Sequence, residues 1–210
     1  MTKTLNKIKK HVHGGIQTET IAETYAYLSD VLYEKDKVTY DHSTRVTYYA
    51  ATMGKELGLS DCDMEALVIG SFLHDIGKIT IPNGVLNKEG SLTDKEWKFM
   101  KFHPVLSAKL LQTTGCSENI VSIALYHHER YDGAGYPRGL KGEEIPFLAR
   151  IVTVADSYDA MTTARAYSDI QSREKALKEL SAYAGKQFDP HLVKVFTQII
   201  RFPSLALHAV

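Results

Sequence analysis

The sequence predicts an all-α fold, and three observations predict it. Apolar residues recur at three- and four-residue steps through most of the chain, the spacing that gathers them on one helix face. Serine, threonine or aspartate precedes these runs, and glycine often follows them, as helix ends require. No segment alternates apolar and polar residues as a half-buried strand would, and no internal repeat is present. With 210 residues, 44% of them hydrophobic, the chain can bury one substantial core, and nothing forces a second domain.

Residues 1 to 18 are polar, contain His11, His13 and Gly14-Gly15, and read as a leader or as a linker from an upstream, sensory domain. Thr20-x-x-Glu23 is a capping box that opens a packing helix carrying Ile21, Tyr25, Leu28 and Leu32. The next helix is expected from near Thr39 to about Leu57, with Val46, Tyr49, Ala50 and Met53 as its stripe and Gly58 as its stop. His42 falls on that stripe and Arg45 on nearly the same face; a buried, hydrogen-bonded histidine is the ordinary explanation for such a position.

Ser60 with Asp63 starts a third helix whose apolar face ends at Leu73-His74-Asp75-Ile76-Gly77-Lys78. If that helix continues, Lys78 returns to the side of His74 and can hold a phosphate oxygen. Ile81-Pro82-Asn83-Gly84 reads as a loop. Thr93-x-x-Glu96 is a second capping box, with Leu92 and Trp97 as its hydrophobic staple, and Trp97, Met100 and His103 lie in register before Pro104.

A helix through Leu106, Leu110 and Leu111 ends at Gly115, and Ser117 begins another that carries Ile120, Ala124, His127 and His128. Adjacent helical residues diverge by about 100 degrees, so both histidines reach one cluster only near the helix end. There the glycine-rich loop from Glu129 to Gly142 begins. Asp156 lies in the apolar run Ile151 to Ala155 of a helix from Phe147 to about Thr163, and a carboxylate so placed must be paired or bind a cation. Asp159 is read as a cap, a partner for Arg165 or a water ligand. Helices from Glu174 to Ala184, closed by Gly185, and from Asp189-Pro190 complete the chain.

Lys and Arg total 25, as do Asp and Glu, which excludes a broad attraction to nucleic acid or anionic membrane. Cys62 and Cys116 have no metal-binding spacing and read as free thiols of a reducing compartment. With no signal-like or membrane-spanning run, a soluble cytoplasmic protein is expected.

In order, the motifs are His42-Ser43-Thr44-Arg45, His74-Asp75-Ile76-Gly77-Lys78, His103-Pro104, His127-His128-Glu129 with Gly135-Tyr136-Pro137, and Asp156. This series resembles the HD-GYP family of metal-dependent phosphohydrolases within the HD superfamily. The resemblance implies a helical bundle over residues 36–200, after a leader and packing helix at 1–35 and before a tail at 201–210, with a metal centre in its core. It implies hydrolysis of cyclic di-GMP to linear pGpG, GMP or both, by a metal-bridging hydroxide. Carried over position by position, His42, His74, Asp75, His103, His127, His128 and Asp156 would be ligands to two ions, iron or manganese, with Asp75 the bridge.

Asp75 and Lys78 would be catalytic, while Arg45, Lys78, Gly135, Tyr136, Pro137 and Arg165 would meet substrate. The loop would also offer a surface to a diguanylate cyclase (GGDEF-type) partner. Two departures from the family pattern stand out. Members with a third metal carry a glutamate where this chain has Val38, so two metals are expected unless Glu34 or Asp41 substitutes. The family's Arg-Pro-Tyr plus basic residue reads Arg165-Ala166-Tyr167-Ser168 here and lacks one positive charge. The alternatives are an inactive module that binds cyclic dinucleotides or a partner, and an HD enzyme with a different substrate or an oxygen-dependent reaction.

Overall fold

Asp36, Ser60, Thr93, Ser172 and Asp189 each accept hydrogen bonds from main-chain N–H groups two or three residues ahead, and each opens a helix. A cap of this kind contributes about 1 kcal/mol and fixes where the chain turns into the helix. The computed structural model describes residues 21–86, 88, 90–163 and 170–202. Among them the helices are α1 (Ile21–Lys35), α2 (Lys37–Glu56), α3 (Asp61–Leu73), α4 (Asn83–Leu86), α5 (Asp94–Met100), α6 (His103–Thr113), α7 (Glu118–Tyr126), α8 (Phe147–Thr162), α9 (Arg173–Ala182) and α10 (Pro190–Arg201). The only β pairing among the described residues is an isolated bridge between Ala184 and Phe188. The Thr20 cap and Arg165 lie outside the described residues.

Apolar α3 lies at the centre, packed on α2, α7 and α8, and its Leu67 and Leu73 are fully buried. Leu28 and Leu32 of α1 join the same core as Val46 and Met53 of α2, Ile151 and Val152 of α8 and Phe196 of α10. Tyr49, Tyr158 and Phe196 stack edge to face where α2, α8 and α10 meet. The largely buried Arg150–Asp189 ion pair ties α8 to the cap of α10. Removing one member would leave the other charge without its partner in a dry environment.

Three expectations are corrected. α2 opens at Lys37 rather than near Thr39, because the Asp36 carboxylate takes the N–H groups of Val38 and Thr39; Lys37 and Val38 are exposed and lie outside the buried stripe that marks the helix. The stretch read as a loop after Ile81 includes the helical turn α4. α3 stops at Leu73, and Lys78 sits on a separate 3-10 segment, Ile76–Thr80, instead of on a continued α-helix. Trp97, on the α5 that its capping box opens, is 49% exposed, with the Lys101 ammonium over its ring.

Candidate metal centre

Asp75, at the turn between α3 and the 3-10 segment, is the hub of the cluster and is 2% exposed. Its Oδ1 lies 2.9 Å from His103 Nε2 and 3.8 Å from His127 Nε2. Its Oδ2 lies 3.4 Å from His74 Nε2, 4.0 Å from His42 Nε2 and 2.5 Å from Lys78 Nζ. Asp156 on α8 completes the near side, its Oδ1 3.0 Å from His42 Nε2. Two groups of donors result, His42–His74–Asp75 and His103–His127–His128, each with ligand atoms within 4.8 Å of one another. All seven side chains expected as ligands therefore lie in or against one cluster.

Most of the rings are aimed by bonds on their far side. His74 Nδ1 donates to the Ser71 carbonyl at 2.6 Å, His103 Nδ1 to Met100 at 2.7 Å and His127 Nδ1 to Ala124 at 2.9 Å. Each acceptor lies three residues back, near the end of a helix that leaves its last carbonyls without intrahelical partners. His42 Nδ1 donates instead to Asp159 Oδ2 at 2.6 Å. With Nδ1 committed as donor in all four, the Nε2 lone pair faces inward, as metal-binding imidazoles require.

The cluster fits divalent cations on two further counts. His74 Nε2 and Asp75 Oδ1 are buried without a hydrogen-bond partner, a loss of about 1–3 kcal/mol for each such group that a bound cation would remove. Three of the imidazoles and both carboxylates are also in the ionisation states that cations need. Burial lowers the pKa of His74, holds that of His127 well below its usual value and brings that of His128 down to about 3, so these rings stay neutral. Burial alone would raise the pKa of Asp75, but Lys78, His74 and His103 keep it well below the usual range. His42 does the same for Asp156. Mixed imidazole and carboxylate donors suit a transition metal and suit an all-oxygen calcium site poorly.

Two glycines allow parts of this site to approach. A Cβ on Gly77 would sit 2.4 Å from the His103 carbonyl and 2.6 Å from Ser107 N, so only glycine lets the Asp75 turn approach α6 this closely. A Cβ on Gly135 would meet Arg130 N at 2.3 Å. The loop carrying Gly135 is organised by Glu129, buried at 1% exposure, whose carboxylate accepts the N–H groups of Arg138, Gly139 and Leu140. Tyr136 stacks on His128 with centroids 4.9 Å apart, next to Pro137. Burial and the charges of Asp75 and Asp156 raise the Tyr136 pKa, keeping its phenol protonated.

Asp159 has partners that its sequence reading did not name. It pairs with His42 and, through two hydrogen bonds at 2.6 and 3.1 Å, with Arg45. One turn after Asp156 in an apolar helix, it faces the same side, and that i, i+3 spacing was the available signal. Arg45, expected near phosphate, is therefore engaged by Asp159 in this structure. The buried function of Glu129 had no comparable signal, since its partners are main-chain groups nine to eleven residues away. At the third-metal position, Val38 is exposed, and Asp41 pairs with Lys37; neither Glu34 nor Asp41 joins either donor group.

The family model described as HD domain matches residues 26–192. The chain belongs to the HD domain family. A cyclic di-GMP phosphodiesterase of Thermotoga maritima is 35% identical to this HD-domain chain over 208 residues, covering 93% of the chain and 56% of that protein. The cyclic di-GMP phosphodiesterase response regulator RpfG of Xanthomonas campestris is 42% identical over 175 residues, covering 81% and 46%. A crystal structure of a cyclic GMP-AMP-specific phosphodiesterase of Vibrio cholerae superposes with a TM-score of 0.67 at 22% identity, over 89% of this chain and 50% of that one. The HD-GYP resemblance drawn from the ordered motifs stands. The chain spans about half the length of these curated relatives. No helix among the described residues is long and apolar enough to cross a membrane.

Proposed function

We propose that this chain is a metal-dependent phosphodiesterase that hydrolyses cyclic di-GMP to linear pGpG, GMP or both, with two transition-metal ions, iron or manganese, held by His42, His74, Asp75, His103, His127, His128 and Asp156. The convergence of inward-facing Nε2 atoms on the Asp75 carboxylate carries this reading. Cations bound there supply Lewis-acid stabilisation of a phosphoryl group and make water acidic enough to attack near neutral pH. Asp75 remains ionised between the two donor groups. Lys78, 19% exposed and paired with Asp75, is placed to meet a phosphoryl oxygen that arrives beside that carboxylate. Tyr136, protonated and stacked on His128, offers a hydroxyl donor at the same edge.

Arg45 acts in this reading mainly through Asp159, and Arg165 remains a candidate for a phosphate contact. The exposed rim of the loop, Ala134, Arg138 and Gly139, is where a diguanylate cyclase partner would dock. Protein purified without oxygen and loaded with iron or manganese is the test: chromatography of a cyclic di-GMP reaction should show pGpG or GMP. Intact cyclic di-GMP in the presence of measured bound metal would overturn the proposal. Parallel reactions with cyclic GMP-AMP and cyclic di-AMP separate this substrate from other cyclic dinucleotides.

A further inference from the structure

Beyond the donor cluster, the least expected surface feature is α5, which turns its aromatic side chains to solvent. Trp97 is 49% exposed and Phe99 64%, and Phe102, just beyond the helix, is 54% exposed. An exposed aromatic group of this kind loses the burial that normally stabilises such residues and marks a surface that binds something. The position of Lys101 connects this surface to the site. Its ammonium lies 5.8 Å from the centre of the Trp97 ring and 5.5 Å from that of Tyr136, and Tyr136 in turn stacks on His128. A continuous series of side chains, His128, Tyr136, Lys101 and Trp97, leads from the donor cluster to the exposed indole.

We propose that Trp97 and Lys101 form a nucleotide subsite at the mouth of the cluster, Trp97 stacking on one guanine of the cyclic dinucleotide and Lys101 meeting its non-reacting phosphate. The subsite rests on the reading of the chain as a cyclic-dinucleotide phosphodiesterase. Every purine presents a π face, and an exposed indole is a platform for it. The charge argument is independent of stacking. Lys78 is paired with Asp75 and Arg45 with Asp159, whereas Lys101 is in no ion pair among the described residues. A chain with no net charge must meet a dianionic ligand with local cations, and here the family's usual basic residue is Ser168. Lys101 supplies a positive charge beside Tyr136. The ordinary alternative is a lysine stem covering a surface tryptophan, and it predicts no response to nucleotide.

Trp97 is the single tryptophan of the chain, so its fluorescence reports this position alone. The metal-loaded protein is titrated with a non-hydrolysable phosphorothioate analogue of cyclic di-GMP, following fluorescence and calorimetry together. Binding should quench Trp97, and Trp97→Ala should weaken the analogue's Kd roughly five- to a hundredfold while keeping the wild-type metal content and unfolding midpoint. Trp97→Phe should recover most of that affinity. Lys101→Met should weaken binding and flatten its dependence on salt. If the wild-type protein binds the analogue and hydrolyses cyclic di-GMP, but its fluorescence does not change or Trp97→Ala binds equally well, the subsite is wrong and the enzymatic reading stands. If the metal-loaded wild type neither binds nor hydrolyses any cyclic dinucleotide, that reading fails and the subsite falls with it.

Discussion

His103 and His127 are held by main-chain carbonyls three residues back, whereas His42, in the other donor group, is held by the side chain of Asp159. The first arrangement comes with the helix ends and cannot be removed without moving a helix. The second hangs on one carboxylate, which also engages Arg45 and Thr163. His74 shares the first arrangement through the Ser71 carbonyl, so within the His42–His74–Asp75 group only His42 hangs on a replaceable side chain, and Asp75 joins the two groups. Substitutions can separate these contributions.

Asp75→Asn removes what the halves share and should have the largest effect. It should leave no metal after desalting, by elemental analysis, and no phosphodiesterase activity, because a neutral amide cannot bridge two cations. Asp159→Asn should divide the halves. Loss of a group that orients a ligand typically costs about 10–100-fold in metal affinity. Competition with a chelator should therefore show one ion weakened by that factor and the other unchanged; equal weakening of both would break the comparison. Gly77→Ala should disturb the junction itself, where the added methyl meets backbone of α6. Denaturant unfolding should show a loss of about 1–3 kcal/mol, the range for forced overpacking.

Glu129→Gln extends the comparison to the loop, which is organised by a side chain as His42 is. Weakening its three main-chain hydrogen bonds should cost about 1 kcal/mol and speed hydrogen exchange at Arg138, Gly139 and Leu140, with bound metal unchanged. A smaller effect concerns pH in metal-free protein. His74, His127 and His128 have folded pKa values below the reference 6.5, that of His128 about 3. The unfolded chain takes up protons as pH falls through 6.5 and the folded chain does not, so stability is full above 6.5 and declines between about 6.5 and 3. The urea midpoint should be lower at pH 5.5 than at 7.5, and equal midpoints would contradict the neutral imidazoles.

Much of this was legible in the sequence because caps and periodicity are local. Ser60, Thr93 and Asp189 open helices as their residue types direct. The donors stood out as imidazoles and carboxylates at the ends of apolar runs. What aims them did not, because the carbonyls of Ser71, Met100 and Ala124 are common to every residue type and become acceptors only where a helix stops. Lys78 was misplaced for the same reason: the stop of α3 at Leu73 and the tighter 3-10 turn after it are set by Gly77 packing on Ser107, a contact 30 residues distant.

The central claim is that two cations share the Asp75 carboxylate, and anomalous scattering from crystals of the metal-loaded protein tests it most directly. Two peaks should flank Asp75, one against His103, His127 and His128 and the other against His42, His74 and Asp156. A single peak, or peaks that leave Asp75 unligated, would contradict it.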